Sequence, residues 1–166
     1  RAVLHGVGEP MLVRNLPKMV RYLKERGTYV LFNTNGTVLN EKNGRALIEA
    51  GLDELRVSLD AATAKSYLAV RGKDYFARIL RNVRAFRALQ ERDGIDRPRV
   101  SAWLTGLKET IVELPAFVQV AAEIGTAVRL RLETRQRELR RMVDVRSLGA
   151  CARHSDPARH RRLSRQ

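Results

Sequence analysis

The sequence has little cysteine and no long apolar run. No hydrophobic stretch approaches the roughly 18 residues that a membrane-spanning helix requires, so no membrane partner is expected. Cys151 is the only cysteine among 166 residues. A single thiol excludes an intramolecular disulfide and any metal site that needs two or more thiolates from this chain. Because such scarcity is typical of reducing compartments, we predict a cytoplasmic protein.

Lysine disappears toward the end of the chain, where the positive charge accumulates. The formal net charge is +14, which would ordinarily indicate a nucleic-acid partner. However, residues 1–128 contain 20 lysines and arginines against 14 acids, whereas residues 129–166 contain 12 arginines, no lysine and four acids. We therefore predict an irregular Arg-rich tail at residues 133–166. It is either a disordered basic segment or the translation of a shifted reading frame.

Residues 1–132 alternate between strand and helix patterns and form the predicted domain. Strands are predicted at 2–5, 28–32, 54–59, 99–104 and 127–132. Helices are predicted at 16–26, 40–50, 63–70, 75–91 and 113–124, the first two capped by Asn15 and Asn40. Strands separated by helices imply parallel crossovers, so the fold class is α/β. Five such strands suit either a doubly wound sheet or part of a β/α barrel.

Polar and glycine-bearing motifs lie at the carboxyl ends of three of the predicted strands. They read His5-Gly6-Val7-Gly8-Glu9-Pro10, Asn33-Thr34-Asn35-Gly36 and Ser58-Leu59-Asp60-Ala61. A weaker fourth motif is Thr105-Gly106, with Lys108 beyond it. In parallel α/β folds the carboxyl ends of the strands meet on one face, where ligands bind. The motifs therefore predict a single ligand site.

The residue types in these motifs suggest particular contacts. Pro10 biases Glu9 to an extended backbone, from which its carboxylate can pair with an ammonium group. Ser58 and Asp60 together suit the diol of a ribose. Each motif also has a purely structural interpretation: a strand-to-helix turn around Glu9, a loop closed by Thr34-Asn35-Gly36, and capping of the helix near Thr63 by Ser58 or Asp60.

Taken together, the three motifs resemble those of the radical S-adenosylmethionine superfamily over roughly residues 1–132. Gly8-Glu9-Pro10 is similar to the family's glycine-glycine-glutamate motif, with Val7 in place of the first glycine. Thr34-Asn35-Gly36 is similar to its Thr-Asn-Gly motif. Val57-Ser58-Leu59-Asp60 resembles its fourth strand, and Tyr67…Arg71-Gly72 recurs in some members.

The resemblance implies a partial (β/α)6 barrel in which the visible strands are the second to the sixth. It implies S-adenosylmethionine and a [4Fe-4S] cluster as cofactors. The implied reaction is reductive cleavage of S-adenosylmethionine to a 5′-deoxyadenosyl radical, which abstracts a hydrogen atom from the substrate. The sequence does not identify that substrate. The resemblance assigns cofactor binding to Gly8, Glu9, Pro10, Thr34, Asn35, Ser58 and Asp60. Lys108 stands where related members often have an asparagine.

The sequence departs from the family in lacking the Cys-x3-Cys-x2-Cys loop that holds the cluster. Cys151 lies in the aberrant tail, and Arg1 begins inside an apolar segment. We therefore expect a fragment, inactive by itself, whose intact parent would take electrons from a reductant such as flavodoxin or ferredoxin.

Two other interpretations remain open at the level of sequence. One is a basic RNA-associated α/β protein that uses its Arg-rich tail. Aromatics make up only 5% of the residues, and Trp103 falls at a predicted core position, so nucleic acid is not expected as a partner. The other is a conventional α/β enzyme that uses His5, Glu9, Asp60 or Lys108 for acid–base chemistry. No nucleophile arrangement, P-loop or dinucleotide fingerprint supports it.

Overall fold

The computed structural model describes residues 1–4, 6–107 and 110–132. The strands are β1 (Ala2–Val3), β2 (Val30–Thr34), β3 (Glu54–Ser58), β4 (Arg99–Gly106) and β5 (Ala127–Leu132). The helices are α1 (Leu16–Lys24), α2 (Glu41–Glu49), α3 (Ala64–Arg71), α4 (Phe76–Arg92) and α5 (Leu114–Glu123). Short 3-10 turns cover Pro10–Leu12 and Ile111–Glu113.

The strands form one parallel sheet in the sequential order β1-β2-β3-β4-β5. Because crossovers between parallel strands are right-handed, a sequential order places all the connecting helices on one side of the sheet. A doubly wound sheet would instead reverse its strand order at some point. The prediction of an α/β fold built as part of a β/α barrel is confirmed.

The two faces of the sheet differ in chemistry. One carries the buried side chains Val30, Phe32, Thr34, Leu55, Val57, Val100, Ala102 and Leu104, and most of these are apolar. Burying each large apolar side chain contributes about 1.5–3 kcal/mol to folding. The opposite face, called the polar face below, carries the buried Leu31 and otherwise mainly polar side chains, as the strand registers require: Asn33, Glu54, Arg56, Ser58, Ser101 and Trp103. Trp103, expected in the core, is half-buried on this polar face instead.

Of the two residues predicted to cap helices, Asn40 does so and Asn15 does not. The Asn40 side chain accepts a 2.9 Å hydrogen bond from the Asn43 N–H and caps α2 as expected. Asn15 makes no side-chain cap, because Pro17 in the first turn of α1 has no N–H to donate and the Asn15 backbone is not extended. Met19, expected on the inner side of α1, is 45% exposed.

Residues Arg1–Arg131 form one compact unit. Within the described ranges, none of the helices combines the length and hydropathy needed to cross a membrane. The predicted tail at residues 133–166, together with His5 and Lys108, lies outside the described residues.

Candidate functional site

A recess of about 350 Å³ opens where the loops after β1, β2 and β3 meet. Among the residues lining it are five of the seven predicted site residues: Gly8, Glu9, Thr34, Asn35 and Ser58. Pro10 lines a neighbouring recess of about 300 Å³ with mostly apolar walls, and Gly8 and Glu9 contribute to both. Asp60 is buried beside the first recess and is linked to it through Arg71.

Glu9 holds the loop after β1 against the end of β2. Its Oε1 accepts hydrogen bonds from the Thr34 hydroxyl at 2.6 Å and the Met11 N–H at 3.1 Å, and its Oε2 accepts one from the Asn35 N–H at 2.7 Å. The extended backbone predicted for Glu9 is present, with φ −98° and ψ 113°. The carboxylate thus caps the turn that follows β1, which agrees with the structural interpretation of this motif. It also lines the recess, and one of its roughly four acceptor positions is not used by these three hydrogen bonds.

Thr34-Asn35-Gly36 forms a tight turn that is fastened to α4. The Thr34 hydroxyl accepts from the Gly36 N–H at 3.0 Å, and Asn35 Oδ1 accepts from the Thr37 N–H at 2.9 Å. Asn82 on α4 donates to the Gly36 carbonyl at 2.9 Å. These residues therefore close the loop while presenting Asn35 to the recess.

Gly36 is the residue in this turn whose replacement should cost most stability. It has φ +74°, and an added Cβ would lie 3.0 Å from Ile79 Cγ2 and 3.2 Å from Val57 Cγ1. We expect Gly36→Ala to lower the free energy of unfolding by about 2–3 kcal/mol in urea denaturation, the sum of backbone strain and crowding.

Gly27→Ala is the matched control, because Gly27 has φ +69° with open space around its Cα. It should show the backbone strain alone, about 1–2 kcal/mol. Equal losses in the two variants would contradict the crowding at Gly36.

Asp60, which is buried, forms an ion pair with the more exposed Arg71 at the edge of the recess. Asp60 Oδ2 pairs with Arg71 Nη2, and Asp60 Oδ1 accepts from the Thr105 N–H at 2.7 Å. Arg71 also donates to the Ser58 carbonyl at 3.2 Å and lines the recess itself. Capping of α3 falls to Thr63 and Ser66 instead, so Ser58 and Asp60 are not capping residues.

Three further lining residues, Gly6, Asn33 and Arg71, are not among the predicted site residues, although Gly6 and Asn33 belong to the motifs at the strand ends. The motif Tyr67…Arg71-Gly72 contains Arg71 but gives it no role. Asn33 stands on the polar face of β2, and its Oδ1 is buried without a hydrogen-bond partner in the described structure. Strand alternation could have identified Asn33, because it pairs with Arg56, two residues before Ser58, and so lies on the same side of the sheet as Ser58. Arg71 comes from α3, and no sequence spacing links it to Asp60.

Comparisons with known proteins identify the family of this chain. The family model described as the Radical SAM superfamily matches residues 1–121. The chain therefore belongs to the radical SAM superfamily. Members of this family use S-adenosylmethionine and a [4Fe-4S] cluster.

Individual relatives match parts of the chain. An uncharacterized protein of Methanocaldococcus jannaschii, MJ0804, is 38% identical over 46% of this chain and 27% of its own. A probable GTP 3′,8-cyclase of Metallosphaera sedula is 36% identical over 71% of this chain and 35% of its own. The crystal structure of Streptococcus suis SuiB bound to S-adenosylmethionine has the same fold, with a TM-score of 0.68 and 14% identity over 88% of this chain and 34% of SuiB. The chain thus spans about a third of the length of these proteins.

Proposed function

We propose that this chain forms the S-adenosylmethionine-binding part of a radical SAM enzyme. The observation that carries the proposal is the recess at the carboxyl ends of β1, β2 and β3, where an anionic, a cationic and several neutral polar side chains converge. Such a site complements a ligand end that bears an ammonium and a carboxylate group. The methionyl end of S-adenosylmethionine has both.

In this proposal Glu9 binds the ammonium group, because its carboxylate lines the recess and is already fixed in place by three hydrogen bonds. Arg71 faces the carboxylate of the ligand, and Ser58 and the unpartnered Oδ1 of Asn33 take its remaining polar groups. Gly8, with φ +102° and open space around its Cα, lets the backbone approach the ligand closely. Asp60 is a positioning residue that orients Arg71.

The residues of this chain do not provide a binding site for the [4Fe-4S] cluster. Three thiolates are needed, and the 166 residues contain one cysteine. The described residues also bring together no group of three histidine, cysteine, aspartate or glutamate side chains. We therefore propose that the cluster ligands, the contact with a reductant such as a flavodoxin or a ferredoxin, and the choice of substrate belong to polypeptide outside this sequence. When bound, the two cofactors together supply the reductive cleavage on which the family's chemistry depends.

We expect the 166-residue chain to bind S-adenosylmethionine weakly and to form no 5′-deoxyadenosine. Binding is measured by isothermal titration calorimetry. Cleavage is measured by chromatography after anaerobic reconstitution with iron, sulfide and dithionite. A stoichiometric yield of 5′-deoxyadenosine would contradict the assignment of the cluster ligands to other polypeptide.

5′-Methylthioadenosine is the control ligand, because it keeps the nucleoside and lacks the ammonium and carboxylate groups. If the recess binds the methionyl end, this ligand should bind at least about tenfold more weakly, because the loss of even one of the two charge-assisted contacts has that effect. Equal affinities for the two ligands would overturn the proposed orientation.

A further inference from the structure

Arg56 lies next to the recess on the polar face of the sheet. On β3 it precedes Ser58 by two residues and so shares its side of the sheet. In the strand register it stands between Asn33 of β2 and Ser101 of β4. Asn33 and Ser58 both line the recess, so Arg56 forms the next layer beneath them.

The guanidinium of Arg56 is held in a fixed orientation. Its Nε donates to Glu54 Oε1 at 2.8 Å, and its Cζ lies over the Trp103 ring, 4.6 Å from the ring centroid. Trp103 is fixed in turn by a 2.9 Å hydrogen bond from its indole N–H to the Ser101 hydroxyl. Burial raises the pKa of Glu54, but the hydrogen bond and charge of Arg56 outweigh it and hold that pKa below the ordinary 4.5. Glu54 is therefore ionised at neutral pH.

This anchoring uses one nitrogen of the three in the guanidinium. The two terminal nitrogens have no hydrogen-bond partner among the described residues, although the side chain is only 17% exposed. Paired N–H donors in a rigid fork match the two oxygens of a carboxylate or a phosphate group.

We propose that Arg56, stacked on Trp103, binds an anionic group of the enzyme's substrate, a carboxylate or a phosphate, beneath the S-adenosylmethionine recess. The inference rests on the proposed function, because it takes the recess itself for the cofactor. Arg71 cannot serve the same group, since Asp60 and the Ser58 carbonyl hold it at the recess edge. Arg56 is thus a specificity-determining residue, and substrates without the anionic group are excluded.

The single tryptophan gives a local test of this proposal. Trp103 is the only tryptophan in the sequence, so emission changes report on its surroundings even though arginines elsewhere in the chain also attract anions. The full chain is titrated with inorganic phosphate and, separately, with acetate, at constant ionic strength set by chloride. We expect a saturable change in Trp103 emission with at least one of the two probes, and the responding probe identifies the group as phosphate or carboxylate.

Arg56→Gln should raise the anion concentration at the midpoint of that titration at least tenfold. Arg56→Lys keeps the charge but not the paired N–H donors, so its midpoint should lie between those of Arg56→Gln and the unmodified chain. Arg81→Gln is the matched control, because Arg81 is exposed on α4 without an ion pair in the described structure, and its midpoint should not change. Far-UV circular dichroism confirms that each variant is folded. If Arg56→Gln titrates like the unmodified chain, or if neither probe changes the emission, the proposal is wrong.

S-adenosylmethionine binding separates this proposal from the one on which it rests. Arg56→Gln should leave the calorimetric affinity for S-adenosylmethionine unchanged, whereas Glu9→Gln should reduce it and leave the phosphate or acetate response intact. Loss of S-adenosylmethionine binding in Arg56→Gln would assign Arg56 to the cofactor and overturn the substrate proposal. An intact anion response in a chain that binds no S-adenosylmethionine would contradict the proposed function alone.

Discussion

Glu9→Gln should reduce the affinity of the chain for S-adenosylmethionine by about 10- to 100-fold, measured by isothermal titration calorimetry. The substitution removes the negative charge that faces the recess, and hydrogen bonds to charged groups contribute about 1.5–3 kcal/mol. The amide keeps the size of the side chain and retains one acceptor oxygen. The retained oxygen can still accept from Thr34 and Met11, whereas the amide nitrogen in the other position cannot accept from the Asn35 N–H.

Glu9→Ala provides the comparison that separates binding from structure. It leaves the Asn35 N–H, the Thr34 hydroxyl and the Met11 N–H without their acceptor, so the free energy of unfolding should fall by about 2 kcal/mol as well. Glu49→Gln, on the exposed side of α2, is the matched control and should change neither quantity. If Glu9→Gln binds S-adenosylmethionine as tightly as the unmodified chain, Glu9 has a purely structural role.

The alternation of strands and helices could be predicted because each element carries its own local signal. Apolar residues recur at helical spacing in α4, and apolar and β-branched residues mark β2 and β3, so their bounds agree with the structure to within about two residues. Local patterns do not specify which face of a strand meets the helices. The apolar character of Trp103 therefore predicts a core position, whereas the register places it beside Ser101 and Arg56 on the polar face.

The candidate site could be predicted in part for a related reason. Glu9 and Asn35 follow strands and Ser58 ends one, and the carboxyl ends of parallel strands lie at the same edge of a sheet. The ion pair of Asp60 with Arg71 depends on how α3 returns across the end of β3, which is a tertiary property. Asp60 also has φ +55°, a backbone that its residue type tolerates but does not predict.

Asp53→Ala should lower the free energy of unfolding by about 2–4 kcal/mol in urea denaturation, a larger loss than that expected for Gly36→Ala or Glu9→Ala. Asp53 lies at the end of the sheet opposite the recess, and its side chain is 6% exposed. Its Oδ2 accepts from the Val30 N–H and from Lys24, both at 2.7 Å, and its Oδ1 accepts from Arg97 at 2.9 Å. One carboxylate thus joins α1, β2 and the start of β4 to β3, and alanine leaves the Val30 N–H without an acceptor.

The same contacts predict how stability depends on pH. Burial raises the pKa of Asp53, but the hydrogen bonds from Lys24 and the Val30 N–H, with the charges of Lys24 and Arg97, lower it below the ordinary 3.8. Because the folded chain holds this proton less tightly than the unfolded chain, the stabilisation is complete above about pH 5 and is lost as the pH falls through the lowered pKa. Asp53→Asn should therefore show a smaller decrease in unfolding free energy between pH 5 and pH 2.5 than the unmodified chain. Glu123→Ala, which removes an exposed ion pair with Arg84, is the matched control for Asp53→Ala, and it should lower the free energy of unfolding by only about 0–1 kcal/mol. An acid dependence of Asp53→Asn identical to that of the unmodified chain would show that Asp53 has the same pKa in the folded and unfolded chain.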